Sequence, residues 1–425
     1  MDIASPGMTE ERKHRLSDSM RILLVSPTLP YRFSGFGTRV WHLVDQLSRS
    51  HLVTVLAFVR PDEDGVVPGV AGICSRLETV TRMPSKGPRR RVSQVARLAS
   101  PLPYACLEQR TVAMQDAFEA LVRGGGFDVV IMESSRLGAL TLPSGPPVVF
   151  DEHNVEYELL RRMAEGERSR PRQVFNALEY AKFKRLEQRC WRQSAGVALT
   201  SSREEAIVAR HAPTTPTTVV PNGVDIEHFT PSADEPEPGT VVFTGMLSYR
   251  PNLDAAQFLV EEIMPRVQRT HRNARLRLVG HLEQTDRERL AGPRCEVTGW
   301  VPDVRVPMAA ASVIVAPLRM GSGTRLKIVE ALGMGKAVVS TSLGCEGLDV
   351  RDGEQLLLAD SADAFANQVV RLLADRTLAR ELGARGRDLA VREYSWSRST
   401  ARLEHLLRRV VDSGRRSQAA VVSRP

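Results

Sequence analysis

Short runs built almost entirely of valine, isoleucine and leucine, separated by stretches long enough for a helix, constrain this chain most tightly. Val129-Val-Ile-Met and Val148-Val-Phe show no polar alternation. A strand apolar at every position must be covered on both faces, which is the situation of a parallel sheet lying under helices. Arg21-Ile-Leu-Leu-Val-Ser is the first predicted strand and Leu52-Val-Thr-Val-Leu-Ala-Phe the next. Between them a helix is predicted from Thr38 to Ser48, with Val40, Leu43, Val44 and Leu47 on one face. After Pro231-Ser-Ala-Asp-Glu-Pro-Glu-Pro-Gly, too rich in proline and acid to continue a helix or a central strand, the pattern restarts. Val241-Val-Phe-Thr, Leu276-Arg-Leu-Val, Val313-Ile-Val-Ala and Ala337-Val-Val-Ser follow, each with room for a helix before the next. The predicted class is α/β, with two doubly wound parallel-sheet domains.

The length agrees, since 425 residues exceed the roughly 250–300 at which a single core stops growing. The expected division is a disordered leader over 1–20, a first domain over 21–222, a linker over 223–239 and a second domain over 240–396. A basic helix over 397–413, with Leu403, Leu406 and Leu407 on one side, and a disordered tail over 414–425 complete it. No apolar run approaches the roughly 20 residues of a membrane span, and the polar first twenty residues lack the core of a secretory signal. Five scattered cysteines argue against a disulfide framework or a zinc site, so a cytoplasmic location is expected. The net charge of +8 is concentrated early, with 30 basic against 24 acidic residues up to Pro221 and 28 against 26 beyond.

The chemistry is most readable between Gly321 and Gly335. The strand Val313 to Ala316 runs into Pro317-Leu-Arg-Met-Gly-Ser-Gly, and helical periodicity begins at Thr324, the expected cap. A glycine loop between a strand's carboxyl end and a helix's amino end is where open α/β sheets bind ligands. Gly321 and Gly323 allow close backbone approach, and the first free N–H groups of the helix attract an anion such as phosphate. Lys327, in the first turn, opposes the helix dipole at a cost of roughly 0.3–1 kcal/mol, a conflict that a bound anion removes. Glu330 follows three residues later on the same face, and a carboxylate accepts hydrogen bonds from the two hydroxyls of a ribose. Together they read a nucleoside diphosphate; an ordinary surface Lys–Glu pair is the structural alternative.

Gly321-Ser-Gly-Thr-Arg-Leu-Lys-Ile-Val-Glu-Ala-Leu-Gly-Met-Gly-Lys-Ala-Val-Val-Ser340 resembles the retaining glycosyltransferases of family 4. Val220-Pro-Asn-Gly-Val-Asp-Ile-Glu-His-Phe, Phe243-Thr-Gly-Met-Leu-Ser-Tyr-Arg-Pro-Asn, Asp151-Glu-His-Asn-Val-Glu and Glu393-Tyr-Ser-Trp extend the resemblance from Arg21 to about Val411. It implies a GT-B fold of two facing Rossmann-like domains, the donor in the second, with a C-terminal helix returning toward the N-terminal domain. It also implies hexose transfer with retention from a UDP- or GDP-sugar, the domains closing over a co-substrate with no further cofactor and no metal. Lys327 becomes a diphosphate ligand and Glu330 the ribose ligand. Gly245-Met246-Leu247 stands where the family has Gly-Arg-Leu, so Gly245 lines the donor site and Arg250 supplies the second phosphate contact. Ser322 stands where the family often has a first carboxylate, and backbone amides from Met320 to Gly323 then serve the sugar hydroxyls, with Gly321, Ser322, Gly323 and Thr324 as donor contacts.

His153, just after a predicted strand, resembles the family's acceptor-side polar loop and is expected near the sugar, as a hydrogen-bonding group or by orienting the acceptor hydroxyl; a loop histidine tied to backbone is the alternative. The expected catalytic set is therefore His153, Lys327 and Arg250. Gly35-Phe-Gly37 opens a helix after the first strand and is read as a wall of the cleft; without a third glycine it is a weak dinucleotide signal. Asp62-Glu-Asp64 is read as a solvated turn. Arg82, Lys86, Arg89, Arg90 and Arg91, with Arg161, Arg162, Arg168, Arg170 and Arg172, make the first domain basic in patches. They are read as a solvated face or as a peripheral contact with an anionic membrane surface, each cation being worth roughly 1 kcal/mol there. The acceptor is expected to be a glycan, a lipid-linked molecule or a small molecule; nucleic acid is disfavoured, because aromatics are not interleaved with the basic runs. A nucleotide-sugar epimerase and a non-catalytic sugar-nucleotide-binding protein are the alternative readings.

Overall fold

The computed structural model describes residues 19–31, 35–63, 65–82, 99–142, 144–165, 169–321 and 324–422. These form two units, the first containing residues up to Val220 together with Thr400 onward, the second running from Pro221 to Ser399.

The first unit is built on seven strands: β1 (Arg21–Ser26), β2 (Leu52–Val59), β3 (Arg76–Thr81), β4 (Val129–Glu133), β5 (Val148–Glu152), β6 (Gly196–Leu199) and β7 (Thr217–Val219). They lie in the order β3-β2-β1-β4-β5-β6-β7, every pairing parallel. The unbroken apolar runs have the expected cause: β4 and β5 are buried at every position. Successive side chains point to opposite faces, so Leu23 and Val25 enter one hydrophobic layer with Phe118, Phe150 and Trp191. Ile22 and Leu24 enter the other, with Val40, Leu43, Val44 and Leu47 of the helix Gly35–Leu47. That helix starts three residues earlier than its periodicity predicts and includes Gly35 and Gly37. The predicted leader lies outside the described residues except for Ser19 and Met20; Met20 is buried and its N–H donates to His51 Nδ1 at 3.2 Å.

The second unit holds six strands: β8 (Thr240–Thr244), β9 (Arg275–Val279), β10 (Cys295–Gly299), β11 (Val313–Ala316), β12 (Val338–Ser340) and β13 (Leu357–Leu358). Their order is β10-β9-β8-β11-β12-β13, again with parallel pairings. In each sheet the order reverses beside the first strand, between β1 and β4 and between β8 and β11. A doubly wound sheet leaves its binding crevice at that reversal, beyond the carboxyl ends of the strands.

Two expected boundaries move. The segment 223–239, read as a linker, belongs to the second unit. Val224 is buried in that unit's core, its N–H donates to Tyr394 O at 2.6 Å, and Arg387 Nη2 donates to Ile226 O at 2.8 Å. The final helix runs from Trp396 to Val422, so residues 414–422 are helical where a disordered tail was expected. Gly414 costs only about 1 kcal/mol in a helix interior, which does not stop a helix anchored by Leu403, Leu406, Leu407, Val410 and Val411 in the first unit's core. The ion pair of Arg415 Nη2 with Asp128 Oδ1 at 2.8 Å holds its later turns to the same unit.

Candidate functional site

In the second unit the chain leaves β8, β9 and β10 through glycines, on the side of β8 away from β11. Gly245 N donates to Val279 O at 2.9 Å, and Gly280 N donates to Gly299 O at 2.9 Å. Gly280 has φ +137°, and a Cβ there would lie 1.7 Å from Gly245 O, so only glycine fits. Gly245 has φ +147°, and a Cβ there would come within 2.8 Å of Lys327 Nζ.

Lys327 occupies the first turn of the helix Leu326–Gly333. Its Nζ donates to Asn252 Oδ1 at 2.8 Å and lies 4.1 Å from the centroid of the ring of Phe243, the next-to-last residue of β8. No carboxylate pairs with it within 4.0 Å among the described residues. Burial, reinforced by the neighbouring Arg325 guanidinium, pushes its ammonium down to about 7 despite Glu330. Burial likewise pushes Glu330 up to about 7, with Lys327 opposing that rise. The two are neighbours on one helix face without forming the surface ion pair that an ordinary amphipathic helix would show. A lysine without a carboxylate partner at a helix amino end adds its charge to the positive end of the helix dipole, a combination that attracts anions.

Thr324 is not the helix cap. Arg325 takes that position with φ −94° and ψ 106°, and no side chain among the described residues caps the helix. Thr324 is buried and its Oγ1 has no hydrogen-bond partner among the described residues, while its carbonyl accepts from Asn222 Nδ2 at 3.2 Å. Gly321 is buried with φ +114°, and a Cβ there would lie 2.8 Å from Arg325 Nη2. Ser322 and Gly323 lie outside the described residues. Arg250 is the first residue of the helix Arg250–Phe258 and is exposed; Asn252, two positions on, is the residue of that helix that reaches Lys327.

The first unit carries a separate cluster at its own reversal point. Asp151 ends β5 with Glu152, and His153 follows. Strand alternation sends Asp151 and His153 one way and Glu152 the other. Arg39, inside the helix Gly35–Leu47 and 1% exposed, donates through Nε and Nη2 to the two oxygens of Asp151 at 2.9 and 2.6 Å, and through Nη1 to Val220 O at 2.8 Å. His153 Nε2 lies 2.7 Å from Glu133 Oε2 and its ring stacks on Phe36 with centroids 4.1 Å apart. The histidine is thus tied to a carboxylate, not to backbone. Burial drives the Glu133 carboxyl well above its usual range, and the charge of Asp151 adds to the rise; burial drives His153 down to about 3.

On the opposite side Glu152 accepts from Ser135 N at 3.0 Å and from Trp191 Nε1 at 2.9 Å, and burial pushes it up to about 7. Glu187 accepts from the backbone N–H groups of Glu156 and Tyr157 at 2.8 and 2.9 Å. The donor atoms of Glu133, Asp151 and His153 lie within 4.8 Å of one another. Both oxygens of Asp151 are already taken by Arg39, so the positive charge at this point is a guanidinium and no metal is assigned.

Of the remaining sequence candidates, Gly35 and Gly37 stand in the first turn of the helix that carries Arg39. Asp62 and Glu63 pair with Arg60 at 3.2 and 3.0 Å; Asp62 is exposed, as a solvated turn requires, but Glu63 is buried, and Asp64 lies outside the described residues. Arg161 pairs with Glu158 at 2.8 Å and Arg82 covers the Phe58 ring at 5.3 Å, whereas Lys86, Arg89, Arg90, Arg91 and Arg168 lie outside the described residues. Asn252, Glu133 and Arg39 escaped the sequence reading. Only Asn252 had a local signal, since it closes the quoted segment Phe243 to Asn252.

Comparison with known proteins bears on the family and the fold. Residues 33–228 match the family described as Glycosyltransferase Family 4, and residues 238–375 match Glycosyl transferases group 1. A phosphatidyl-myo-inositol mannosyltransferase of Mycobacterium tuberculosis is 30% identical over 216 residues, which cover 47% of this chain and 56% of that protein; its counterpart in Mycobacterium leprae is 29% identical over 212 residues. The chain thus spans a little over half the length of these relatives. Sucrose-phosphate synthase from Thermosynechococcus elongatus superimposes with a TM-score of 0.69 at 21% identity, covering 93% of this chain and all (100%) of that one. HepE of Anabaena, solved with UDP and glucose, gives a TM-score of 0.63 at 14% identity over 91% of this chain and 99% of that one. WaaG, a glycosyltransferase involved in lipopolysaccharide biosynthesis, gives 0.62 at 16% over 92% and 98%. The two-domain, Rossmann-like architecture is that of the GT-B fold. Among the described residues no helix is long and apolar enough to cross a membrane.

Proposed function

Since this chain belongs to the glycosyltransferases of family 4, with the group 1 domain as its second half, we propose that it moves a hexose-type sugar from a UDP- or GDP-sugar to an acceptor hydroxyl with retention. The observation that carries the proposal is Lys327, a lysine at a helix amino end with an amide and an aromatic ring for neighbours instead of a carboxylate. A diphosphate supplies the missing negative charge, and when the glycosidic bond breaks that charge grows, which is where a fixed cation and helix dipole lower the barrier. Glu330 holds the ribose hydroxyls, Arg250 adds a second cation, and the backbone of Gly245 and Gly321, with Ser322, Gly323 and Thr324, meets the rest of the donor; Thr324 Oγ1 has no partner among the described residues.

His153, in the acceptor-side unit, hydrogen-bonds the donor sugar or orients the acceptor hydroxyl. The acceptor is a glycan, a lipid-linked molecule or a small molecule in polysaccharide, glycolipid or other glycoconjugate synthesis. Relatives named for transfer to phosphatidyl-myo-inositol and for lipopolysaccharide biosynthesis favour a lipid-linked acceptor at an anionic membrane surface. The test is incubation of the purified chain with UDP- and GDP-hexoses and candidate acceptors, with product mass and anomeric configuration as readouts. A product one hexose heavier than the acceptor with the donor's configuration is expected. Isomerised or merely bound donor with every acceptor would overturn the proposal, and equal sedimentation with anionic and neutral vesicles would remove the membrane contact.

A further inference from the structure

Lys336 repeats, at the other end of one helix, the condition of Lys327. The helix Leu326–Gly333 carries Lys327 in its first turn and closes through Gly335, at φ +65°, onto Lys336 and β12. Lys336 Nζ donates to Ala309 O at 2.6 Å, and no carboxylate lies within 4.0 Å of it among the described residues. With Arg376 and Arg380 it lines a cavity of about 120 Å³. We propose that this cavity is a second binding site, for a small phosphomonoester, separate from the proposed donor site.

The cavity's place in the fold sets it apart. Gly239, Ser312 and Ala337 also line it, and they stand directly before β8, β11 and β12. These strands are parallel, so the cavity lies at their amino ends, whereas Gly245 and the glycine loop leave the carboxyl ends of β8 and β11. Glu237 N donates to Ala310 O at 2.9 Å and Ser312 Oγ to Glu237 O at 2.7 Å, which fixes Pro236 and Pro238 as one wall. Leu372, from the helix Ala362–Ala374, belongs to another.

The charges lining the cavity do not balance. Against Lys336, Arg376 and Arg380 stands one acid, Glu235, and Arg380 Nη2 already holds its Oε1 at 2.8 Å. Arg376 opens the helix Arg376–Glu393 and has no hydrogen bond or ion pair among the described residues. Asp375, beside it, is spent on capping that helix, its Oδ1 accepting from Leu378 N at 2.9 Å. Burial lowers the Lys336 ammonium to about 8, with Glu235 opposing the fall. Two cations are left without a counter-charge, and Lys336 has two N–H groups to spare. A phosphomonoester carries a charge of about −1.5 to −2 at pH 7 and matches that excess, where a carboxylate would match half of it. The volume is that of roughly ten water molecules, enough for a phosphate on a short carbon chain lying against the proline and leucine walls.

The test is calorimetric titration at pH 7 of glycerol 3-phosphate, of inorganic phosphate and, as the uncharged control, of glycerol. The proteins are the full chain, Lys327→Met, and Lys336→Met and Arg376→Gln, each alone and combined with Lys327→Met so that phosphate entering the proposed donor site is removed from the reading. One-to-one binding of glycerol 3-phosphate is expected to survive Lys327→Met and to weaken roughly 10-fold or more when Lys336 or Arg376 is also replaced, the usual size of a charge-assisted contact. Inorganic phosphate should bind more weakly and glycerol not at all. Arg376→Gln changes an exposed side chain, so it gives a reading even if Lys336→Met does not fold. Absence of binding by the wild type, or binding that Lys327→Met abolishes, or equal affinity with and without Arg376, would overturn the proposal. Survival of the site in Lys327→Met makes the result independent of the donor reading.

Discussion

Lys327 Nζ and Asn252 Oδ1 are 2.8 Å apart, joining the first turns of two helices that begin 76 positions apart in the sequence, Arg250–Phe258 and Leu326–Gly333. The amide orients the ammonium without neutralising it, so the positive charge stays available to a ligand. The cost falls on the free protein. Replacing Lys327 by methionine is expected to reduce transfer roughly 10²–10³-fold, the usual penalty for deleting one preorganised electrostatic group.

The same substitution is expected to stabilise the fold at pH 7. Lys327 titrates near 7 when folded against 10.5 when unfolded, so from about pH 7 to 10.5 the unfolded chain binds more protons and stability rises with pH. At and below pH 7 the penalty is fully present. The thermal midpoint of Lys327→Met should therefore exceed that of the wild type at pH 7, with the gap closing toward pH 10; a lower midpoint at pH 7 would show that burying the lysine does not destabilise the fold.

Glu330 is expected to act on affinity more than on turnover. Hydrogen bonds to a charged group contribute about 1.5–3 kcal/mol, so Glu330→Ala should weaken nucleotide binding roughly 10- to 100-fold. Calorimetry with free nucleoside diphosphates and with the matching deoxyribose forms checks this: wild type should prefer the ribose form, and the variant should lose that preference.

Gly280→Ala places a methyl group 1.7 Å from the Gly245 carbonyl oxygen, a backbone atom that cannot swing aside. The loop must move, at an expected cost of about 2–3 kcal/mol in urea unfolding and with impaired donor binding, although the residue touches no ligand in this account. Wild-type stability and binding together would show that the loop is softer than its contacts suggest.

How much of this was legible in the sequence depends on distance along the chain. The strands were legible because a sheet buried on both faces demands unbroken apolar runs, and β11 begins and ends where its run does. Lys327 and Glu330 were legible because the helix period alone relates them. Glu133 was not, since it ends one strand while His153 follows the next, and nothing local says that β4 and β5 are neighbours. Asn252 lay inside a family-like segment, yet its role depends on a helix far downstream. Thr324 was misjudged as a cap because Thr is a common capping residue; the chain enters the helix one residue later, leaving the hydroxyl buried beside the glycine loop. The tail was misjudged because Gly414 and a polar composition outweigh local apolar signal, while the burial that holds the helix lies earlier, at Leu403 to Val411.

That burial gives a stability prediction. Leu406 is fully buried and its Cδ1 would lie 3.2 Å from a Cβ on Gly196 of β6. Leu406→Ala should cost about 2–5 kcal/mol, the range for truncating a buried leucine, and should leave nucleoside-diphosphate affinity unchanged because the proposed site lies in the other unit. A variant as stable as the wild type in denaturant would mean the final helix is not part of the first unit's core.

The most direct measurement is a calorimetric titration of UDP and of GDP into the wild-type chain and into Lys327→Ala. Saturable one-to-one binding of at least one nucleotide by the wild type, with that binding lost or weakened roughly 10²-fold in the variant, is the expected result. Equal affinity in the two proteins, or no binding of either nucleotide by the wild type, would contradict a diphosphate site at Lys327.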